Sequence, residues 1–124
     1  MSDCDVCIGL SGIEVYEPCN VDRRIARRNW RCCECDRFIS PGASYEHVRG
    51  CMDGRWYTHR TCPLCVEIRD VFRCGEGFYY EMLWDTMQED AFEHLTTASP
   101  CFRELSPEAR AFVLERWRKW KGLP

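Results

Sequence analysis

The stretch that decides the fold is RCCECDRFISPGASYEHVRGCMDGRWYTHRTCPLC, which runs from Arg31 to Cys65. It opens with the pair Cys32 and Cys35 and closes with the pair Cys62 and Cys65, and 26 residues separate the pairs. Two residues between cysteines allow one tight turn to present both sulfurs to a single ion. Two such turns complete a tetrahedron of ligands, so the pattern predicts one zinc ion. Cys33 is an alternative to Cys32 in this ligand set.

A β-hairpin is predicted between the two cysteine pairs. Residues 43–49 and 55–61 flank Asp53-Gly54, a dipeptide that is typical of tight hairpin turns. Tyr45, His47 and Arg49 alternate along the first strand, so we expect them to share one face.

A helix is predicted to follow the hairpin. Thr61 can cap it, and its first turn contains Cys62, Pro63 and Cys65. Proline is tolerated there because the first turn needs no amide donor. The helix is expected to run through Phe72 and to end before the glycines at 75 and 77.

The first cysteine turn (the first knuckle) is followed by a hairpin and then by a helix that carries the second cysteine pair. This order predicts an α+β chain with a small zinc-stabilised treble-clef core and appended C-terminal helices. We expect a single domain over 1–124, because this length does not support two independent cores. Its parts are an N-terminal arm (1–30), the zinc core (31–73) and a helical extension (74–124). Ser106, followed by Pro107, is predicted to cap the last helix.

The composition excludes several classes of protein. The chain is 45% hydrophobic with a formal net charge of −3, which is too apolar and too weakly charged for a disordered chain. No apolar run reaches the length of a membrane span, and the first residues lack the layout of a secretory signal. We therefore expect a cytoplasmic protein, where eleven cysteines favour metal ligation over disulfides.

A third C-x2-C pair, Cys4 and Cys7, suggests a second zinc site. The spacing does not select its remaining ligands: Cys33 and Cys74 are preferred, and Cys19, Cys51 and His59 are alternatives. Cys101 stands apart from the pairs and is expected to be an ordinary thiol.

Three segments are candidate binding surfaces. Residues 81–94 predict an acidic amphipathic helix, either a solvated outer face or a mimic of nucleic-acid phosphate. The last helix carries a stripe of apolar and aromatic side chains that includes Trp117, which packs on the core or enters a partner's groove. An arginine strip precedes the first knuckle and can follow a nucleic-acid backbone while its tryptophan stacks on a base; its residues are Arg23, Arg24, Arg27, Arg28 and Trp30.

The run from Arg31 to Gly42, with Asp53-Gly54-Arg55-Trp56 and Thr61-Cys62-Pro63-Leu64-Cys65, resembles small zinc-binding proteins of bacteriophages and prophages. The resemblance covers about residues 26–85. It implies a phage accessory setting in the host cytosol, and with it inhibition or redirection of a host machine such as a CRISPR defence system. The family has no assigned reaction.

The sequence predicts a binding protein rather than an enzyme. Treble clefs include HNH nucleases, in which His47 would be the general base, but no asparagine lies between Cys35 and Cys65 to orient it. Val66 and Glu67 follow Cys65 where a metal-binding histidine is needed. We expect a host or phage protein as the partner, with nucleic acid as the alternative, and neither a membrane nor a small-molecule substrate.

Overall fold

The polypeptide forms five strands, four α-helices and one π-helical turn in the part that the computed structural model describes, residues 20–52, 54–73 and 80–123. The strands are β1 Asn20–Ile25, β2 Trp30–Arg31, β3 Phe38–Ile39, β4 Ser44–Met52 and β5 Arg55–Thr61. The helices are α1 Pro63–Phe72, α2 Leu83–Thr86, α3 Pro100–Glu104 and α4 Pro107–Lys121, with the π-helical turn Met87–Ala91 directly after α2. The chain is therefore a mixed α+β protein, as the sequence predicts.

The predicted hairpin is confirmed and forms the centre of a three-stranded antiparallel sheet. β4 and β5 pair from Glu46 opposite Thr61 to Met52 opposite Arg55. Gly54 follows the turn with a φ of 78°, a conformation that glycine adopts without a Cβ clash; Asp53 lies outside the described residues. β1 pairs with the other edge of β4. Strand pairing therefore joins the described end of the predicted N-terminal arm to the core.

The two faces of this sheet have different environments. Side chains alternate between the faces, so Glu46, Val48 and Thr61 lie on one side. Val48 and Thr61 are fully buried there, and α1 packs against β4. This side is the inner face. The outer face carries Asp22, His47 and their neighbours in register.

A bidentate ion pair links α1 to the inner face. The two terminal nitrogens of Arg69 each donate to one carboxylate oxygen of Glu46 at 2.7 Å. The Arg69 side chain is 6% exposed and that of Glu46 is 13% exposed. Water therefore competes little with this pair, and its planar geometry fixes the position of the helix on the strand.

The prediction that Thr61 caps α1 is wrong. The N-cap residue is Cys62, whose side chain makes no capping hydrogen bond. Thr61 ends β5 in register with Glu46, and its hydroxyl lies 3.4 Å from the Cys33 sulfur. Strand pairing therefore directs this side chain inward, away from the helix terminus. Pro63 does occupy the first turn, and α1 ends at Phe72; the two glycines predicted to stop it lie outside the described residues.

The helix predicted over 81–94 is shorter and less regular than expected. Glu81 has a positive φ of 73°, so α2 begins only at Leu83. The π-helical turn follows, and Phe92 donates to the carbonyl of Met87 at 2.8 Å. The apolar stripe is nevertheless directed inward, because Leu83, Met87 and Ala91 are fully buried.

The predicted cap of the last helix is confirmed. The Ser106 hydroxyl accepts a hydrogen bond from the amide of Ala109 at 3.2 Å. Glu67 of α1 accepts from the Ser106 amide at 2.6 Å and from its hydroxyl at 2.9 Å. The same serine therefore begins α4 and attaches it to α1. Gly122, in the left-handed conformation, ends the helix.

One cluster of buried side chains runs through the three parts predicted from the sequence. It includes Ala26 before the first knuckle, Cys32 and Cys65 at the cysteine pairs, and Phe92 and Val113 in the helical extension. These parts therefore share a core.

Cys101 lies in the same core but is not the ordinary thiol that the sequence suggests. It is fully buried and disulfide-bonded. The other six cysteines in the described ranges are free, so its partner lies outside them. The spacing of the cysteines along the chain did not predict this disulfide.

None of the helices in the described ranges combines the length and the apolar character that crossing a membrane requires.

The Arg69–Glu46 pair generates the first prediction. Replacing Arg69 with Gln leaves the Glu46 carboxylate buried without its partner, so we expect the free energy of unfolding to fall by about 3–5 kcal/mol. Urea denaturation followed by circular dichroism measures the loss. Arg73→Gln, at the exposed end of the same helix, is the matched control and should change stability by less than about 0.5 kcal/mol. Equal losses in the two variants would contradict this role of the ion pair.

Candidate metal centre and arginine track

Four cysteine sulfurs meet where the first knuckle reaches the N-terminus of α1. They belong to Cys32, Cys35, Cys62 and Cys65, and all lie within 4.8 Å of one another. Cys32 and Cys65 are buried, whereas Cys35 and Cys62 are half-buried. Within the described ranges this is the one group of three or more cysteine, histidine or acidic side chains close enough to hold a metal ion.

The first pair is positioned by a tight turn between β2 and β3. Cys32 donates its amide to the carbonyl of Arg37 at 2.9 Å, and Asp36 donates to the carbonyl of Cys32 at 2.9 Å. Asp36 has a φ of 62°, which aspartate tolerates better than most residues. The Glu34 amide lies 3.4 Å from the Cys32 sulfur, so the turn also directs a backbone dipole at this ligand.

The second pair is positioned by the start of α1. Cys62 precedes the first turn and Cys65 lies within it, with Pro63 between them. The amide of Cys62 donates to the Cys32 sulfur at 3.3 Å. The amides at a helix N-terminus carry partial positive charge, which favours thiolates at this position.

The four thiols cannot titrate independently at these distances. The pKa of Cys32 is lowered, first by its hydrogen bond with the Cys35 thiol and then by those with Cys62 and Cys65. The pKa of Cys65 is raised, first by its hydrogen bond with Cys32. Although its hydrogen bond with Cys32 acts in the opposite direction, the pKa of Cys35 is also lowered by those with Cys62 and Cys65, whereas the pKa of Cys62 is raised by its hydrogen bonds with Cys32 and Cys35. Part of the cluster therefore favours the thiolate, and the rest favours the protonated thiol. A bound cation would displace those protons and stabilise all four thiolates together.

The arrangement fits a tetrahedral metal ion. Metal–sulfur bonds of about 2.3 Å in a tetrahedron place the sulfurs about 3.8 Å apart. The Cys35 and Cys62 sulfurs are 3.8 Å apart. Four protein ligands leave no position for water or substrate, as in sites that support a fold rather than a reaction. The described cluster can therefore hold a metal ion in a closed site.

Cys33 is not part of this cluster. Its sulfur contacts the Thr61 hydroxyl, and burial, followed by the charge of Glu34, raises its pKa to about 12. Cys32 rather than Cys33 therefore completes the described ligand set. The predicted second site of Cys4, Cys7, Cys33 and Cys74 stays a prediction, because the other three cysteines lie outside the described residues.

Glu34 links the knuckle to the helical extension. Its carboxylate accepts hydrogen bonds from the amides of Glu81 at 3.1 Å and Leu83 at 3.0 Å. Burial raises the pKa of this carboxyl group to about 7, although both amide hydrogen bonds act in the opposite direction. A residue between two metal-ligand candidates thus caps α2.

The predicted arginine strip divides between two surfaces. Arg24 stands in register with Tyr45 on the outer face of the sheet, whereas Arg23 is in register with Glu46 on the opposite side. Arg27 and Arg28 lie in the exposed loop after β1. The strip is therefore not one continuous surface.

Two cavities lie along the outer face and share Arg24. The first, of about 490 Å³, extends over His47, and the second, of about 580 Å³, extends towards Trp30. The cationic side chains that line them form what we call the arginine track: Arg24, Arg27, Arg28 and Arg49. Asp22 is the one acidic residue among the lining residues, so cations outnumber anions by four to one.

Trp30 is half-buried at one end of this track. The guanidinium carbon of Arg60 lies 3.6 Å from its ring centre and that of Arg28 lies 4.5 Å away. These two arginine side chains already cover much of the ring of Trp30, so less of it is open for contact with a base.

Two residues of the outer face, Trp56 and Thr58, were not expected from the sequence to line a site. Arg49 was expected to share a face with Tyr45 and His47, and it does line the same cavity as His47, but it was not predicted as a binding residue. Arg49 and Thr58 are in register on adjacent strands, and Trp56 lies two residues before Thr58 on the same face of β5. The alternation of side chains along the predicted strands could have placed these residues on one face. Recognising them as neighbours also requires the register between the two strands.

Trp117, predicted as a binding residue, is half-buried against the core. Its indole nitrogen donates to the carbonyl of Phe92 at 3.2 Å, which attaches α4 to the segment after the π-helical turn. The packing interpretation of the aromatic stripe therefore accounts for this side chain.

No protein-family model, curated protein or solved structure matches the chain.

The cluster generates the second prediction. Cys65→Ser removes one sulfur from the closed ligand set, so the variant should lose one metal ion per chain relative to the unmodified protein. Native mass spectrometry of the reduced proteins measures the difference. Ala111→Ser, at an exposed position of α4 that belongs to no candidate metal site, should retain the full metal content. A Cys65→Ser variant with unchanged metal content would rule out this ligand set.

Proposed function

We propose that the protein is a non-catalytic treble-clef module, stabilised by one zinc ion, that binds nucleic acid along the arginine track. The observation that carries the proposal is the pair of adjoining cavities on the outer face, lined by four arginines and one aspartate. The order of elements around the cysteines supports the treble-clef assignment: a turn with two ligands, a hairpin, and a helix whose start provides two more.

The donor set supports zinc as the resident ion. Four thiolates in a tetrahedron favour soft or borderline cations, and zinc has no geometric preference that opposes this shape. The four sulfurs lie within 4.8 Å of one another, which is close enough for one ion to bind all four. In this role Cys32, Cys35, Cys62 and Cys65 hold the ion, and the ion supplies folding free energy rather than a reactive centre.

The closed ligand set also supports binding rather than catalysis. The nuclease hypothesis needs a metal ligand close after Cys65, and the available carboxylate there is Glu67. Both of its oxygens accept hydrogen bonds from Ser106. His47, the base in that hypothesis, is 7% exposed, and its imidazole lies beside Asp22 rather than beside a described group that could hold a catalytic metal ion.

Charge complementarity favours nucleic acid as the ligand of the arginine track. Arg27 and Arg28 are exposed and make no ion pair within the described ranges, and the guanidinium of Arg28 lies over the ring of Trp30. Such side chains can exchange water for phosphate without losing a carboxylate partner. Phosphate contacts of this kind provide most of the affinity of sequence-independent nucleic-acid binding.

A protein partner is a second candidate, and exposed carboxylates favour it. Asp85, Glu89, Asp90 and Glu93 are all exposed around α2 and the π-helical turn, and none forms an ion pair within the described ranges. A basic partner protein would fit this surface. In a phage accessory setting that partner would be a host or phage protein.

Charge reversal on the track generates the third prediction. Arg27→Glu with Arg28→Glu should weaken binding to all sequences alike and lower the slope of log affinity against log salt by about 1 for each arginine. Fluorescence anisotropy of a labelled oligonucleotide over a salt series measures both. Arg118→Glu with Lys119→Glu, on the exposed side of α4, is the matched control and should change neither quantity.

Two outcomes would contradict this proposal. Equal losses in the two double variants would show a non-specific charge effect rather than an arginine track. Cleavage of the oligonucleotide by the unmodified protein, lost in His47→Ala with folding intact, would show that the module is an enzyme.

A further inference from the structure

The cavity over His47 differs from the rest of the track because it has a floor, basic walls and an aromatic rim. His47 forms the floor, with its Nδ1 3.5 Å from a carboxylate oxygen of Asp22. Arg24 and Arg49 line its walls, together with the polar residues Asn20 and Thr58. We call this the His47 pocket.

The walls of the His47 pocket suit one phosphate group. Both arginines can donate in a planar, bidentate manner to phosphate oxygens. Asp22 weakens the attraction of the pocket for phosphate, because its carboxylate lies 3.3 Å from the Nε of Arg24. That pair is about half exposed, so a phosphate can replace the carboxylate at the cost of a weak surface ion pair.

Trp56 forms the rim and is 59% exposed. The guanidinium carbon of Arg49 lies 4.8 Å from its ring centre, so the ring and this wall of the pocket are held together. An exposed indole on a strand, beside a phosphate-binding arginine, offers a platform on which a base can stack. Trp30 offers less, because two arginines already cover it.

We infer that the His47 pocket takes one nucleotide with an unpaired base, its phosphate against Arg24 and Arg49 and its base on Trp56. This inference rests on the proposed nucleic-acid binding and specifies its ligand as single-stranded. Arginines alone would bind duplex and single strand through the same phosphates. Stacking on Trp56 requires a base that is free of its partner strand, which a duplex does not provide.

The test compares a labelled single strand with the duplex of the same sequence by fluorescence anisotropy. Trp56→Ala should weaken single-strand binding by about 5- to 150-fold, the range that corresponds to about 1–3 kcal/mol for one stacked base. Duplex binding should change less than twofold. Trp56→Phe keeps an aromatic ring and should restore most of the affinity. Thermal unfolding of each variant checks that the sheet is retained.

Phe38→Ala is the matched control. Phe38 is also exposed, at 62%, and also has an arginine over its ring, but it lines neither cavity of the track. It should leave both affinities unchanged.

The outcomes distinguish failure of the single-strand inference from failure of the proposed nucleic-acid binding. If the protein bound single strand and duplex with equal affinity, and Trp56→Ala changed neither affinity, the single-strand inference would be wrong. Nucleic-acid binding along the arginine track would still be supported. Absence of binding to either nucleic acid would overturn both, and binding of a basic protein instead would support the acidic surface as the functional one.

Discussion

The rest of the structure depends on the closure of two distant C-x2-C turns onto one point. Each turn is local, but 26 residues separate them, and all of the hairpin lies within that loop. When the four sulfurs lie within 4.8 Å of one another, the start of α1 lies beside the first knuckle. The hairpin between them must therefore reverse the direction of the chain. The cysteine Cys32 accepts amide hydrogen bonds from both turns, so backbone and sulfur geometry support the same arrangement.

Two glutamates connect the cysteine cluster to the helices that follow it in the chain. Glu34, between two of the cysteines, accepts the amides that begin α2, and Glu67, after the last cysteine, accepts from the serine that begins α4. The starts of α2 and α4 are therefore attached to residues close to the candidate ligands. The arginine track lies on the other side of the hairpin, where Arg24 and Arg49 are exposed.

The sequence predicted those features that depend on short-range patterns. The cysteine spacing, the turn at Gly54 and the Ser106-Pro107 cap each need only a few neighbouring residues, and each appears in the structure. Features that depend on pairing between distant residues were missed. Thr61 pairs within the sheet instead of capping the helix, the Glu34 carboxylate accepts from the first amide of α2, and Cys101 is in a disulfide. Trp56 and Arg49 become one site only through the register of β4 and β5, which no local pattern of side chains specifies.

We propose that a bound zinc ion organises the cysteine turn, the hairpin and α1. Hydrogen exchange of the reduced protein, with zinc and after its removal by a chelator, tests it most directly. The amides of Cys32 and Cys33, which donate to Arg37 and Arg60, should be protected with zinc, exchange freely without it, and regain protection when zinc is returned. Equal protection of these amides in the metal-free, fully reduced protein would contradict the account.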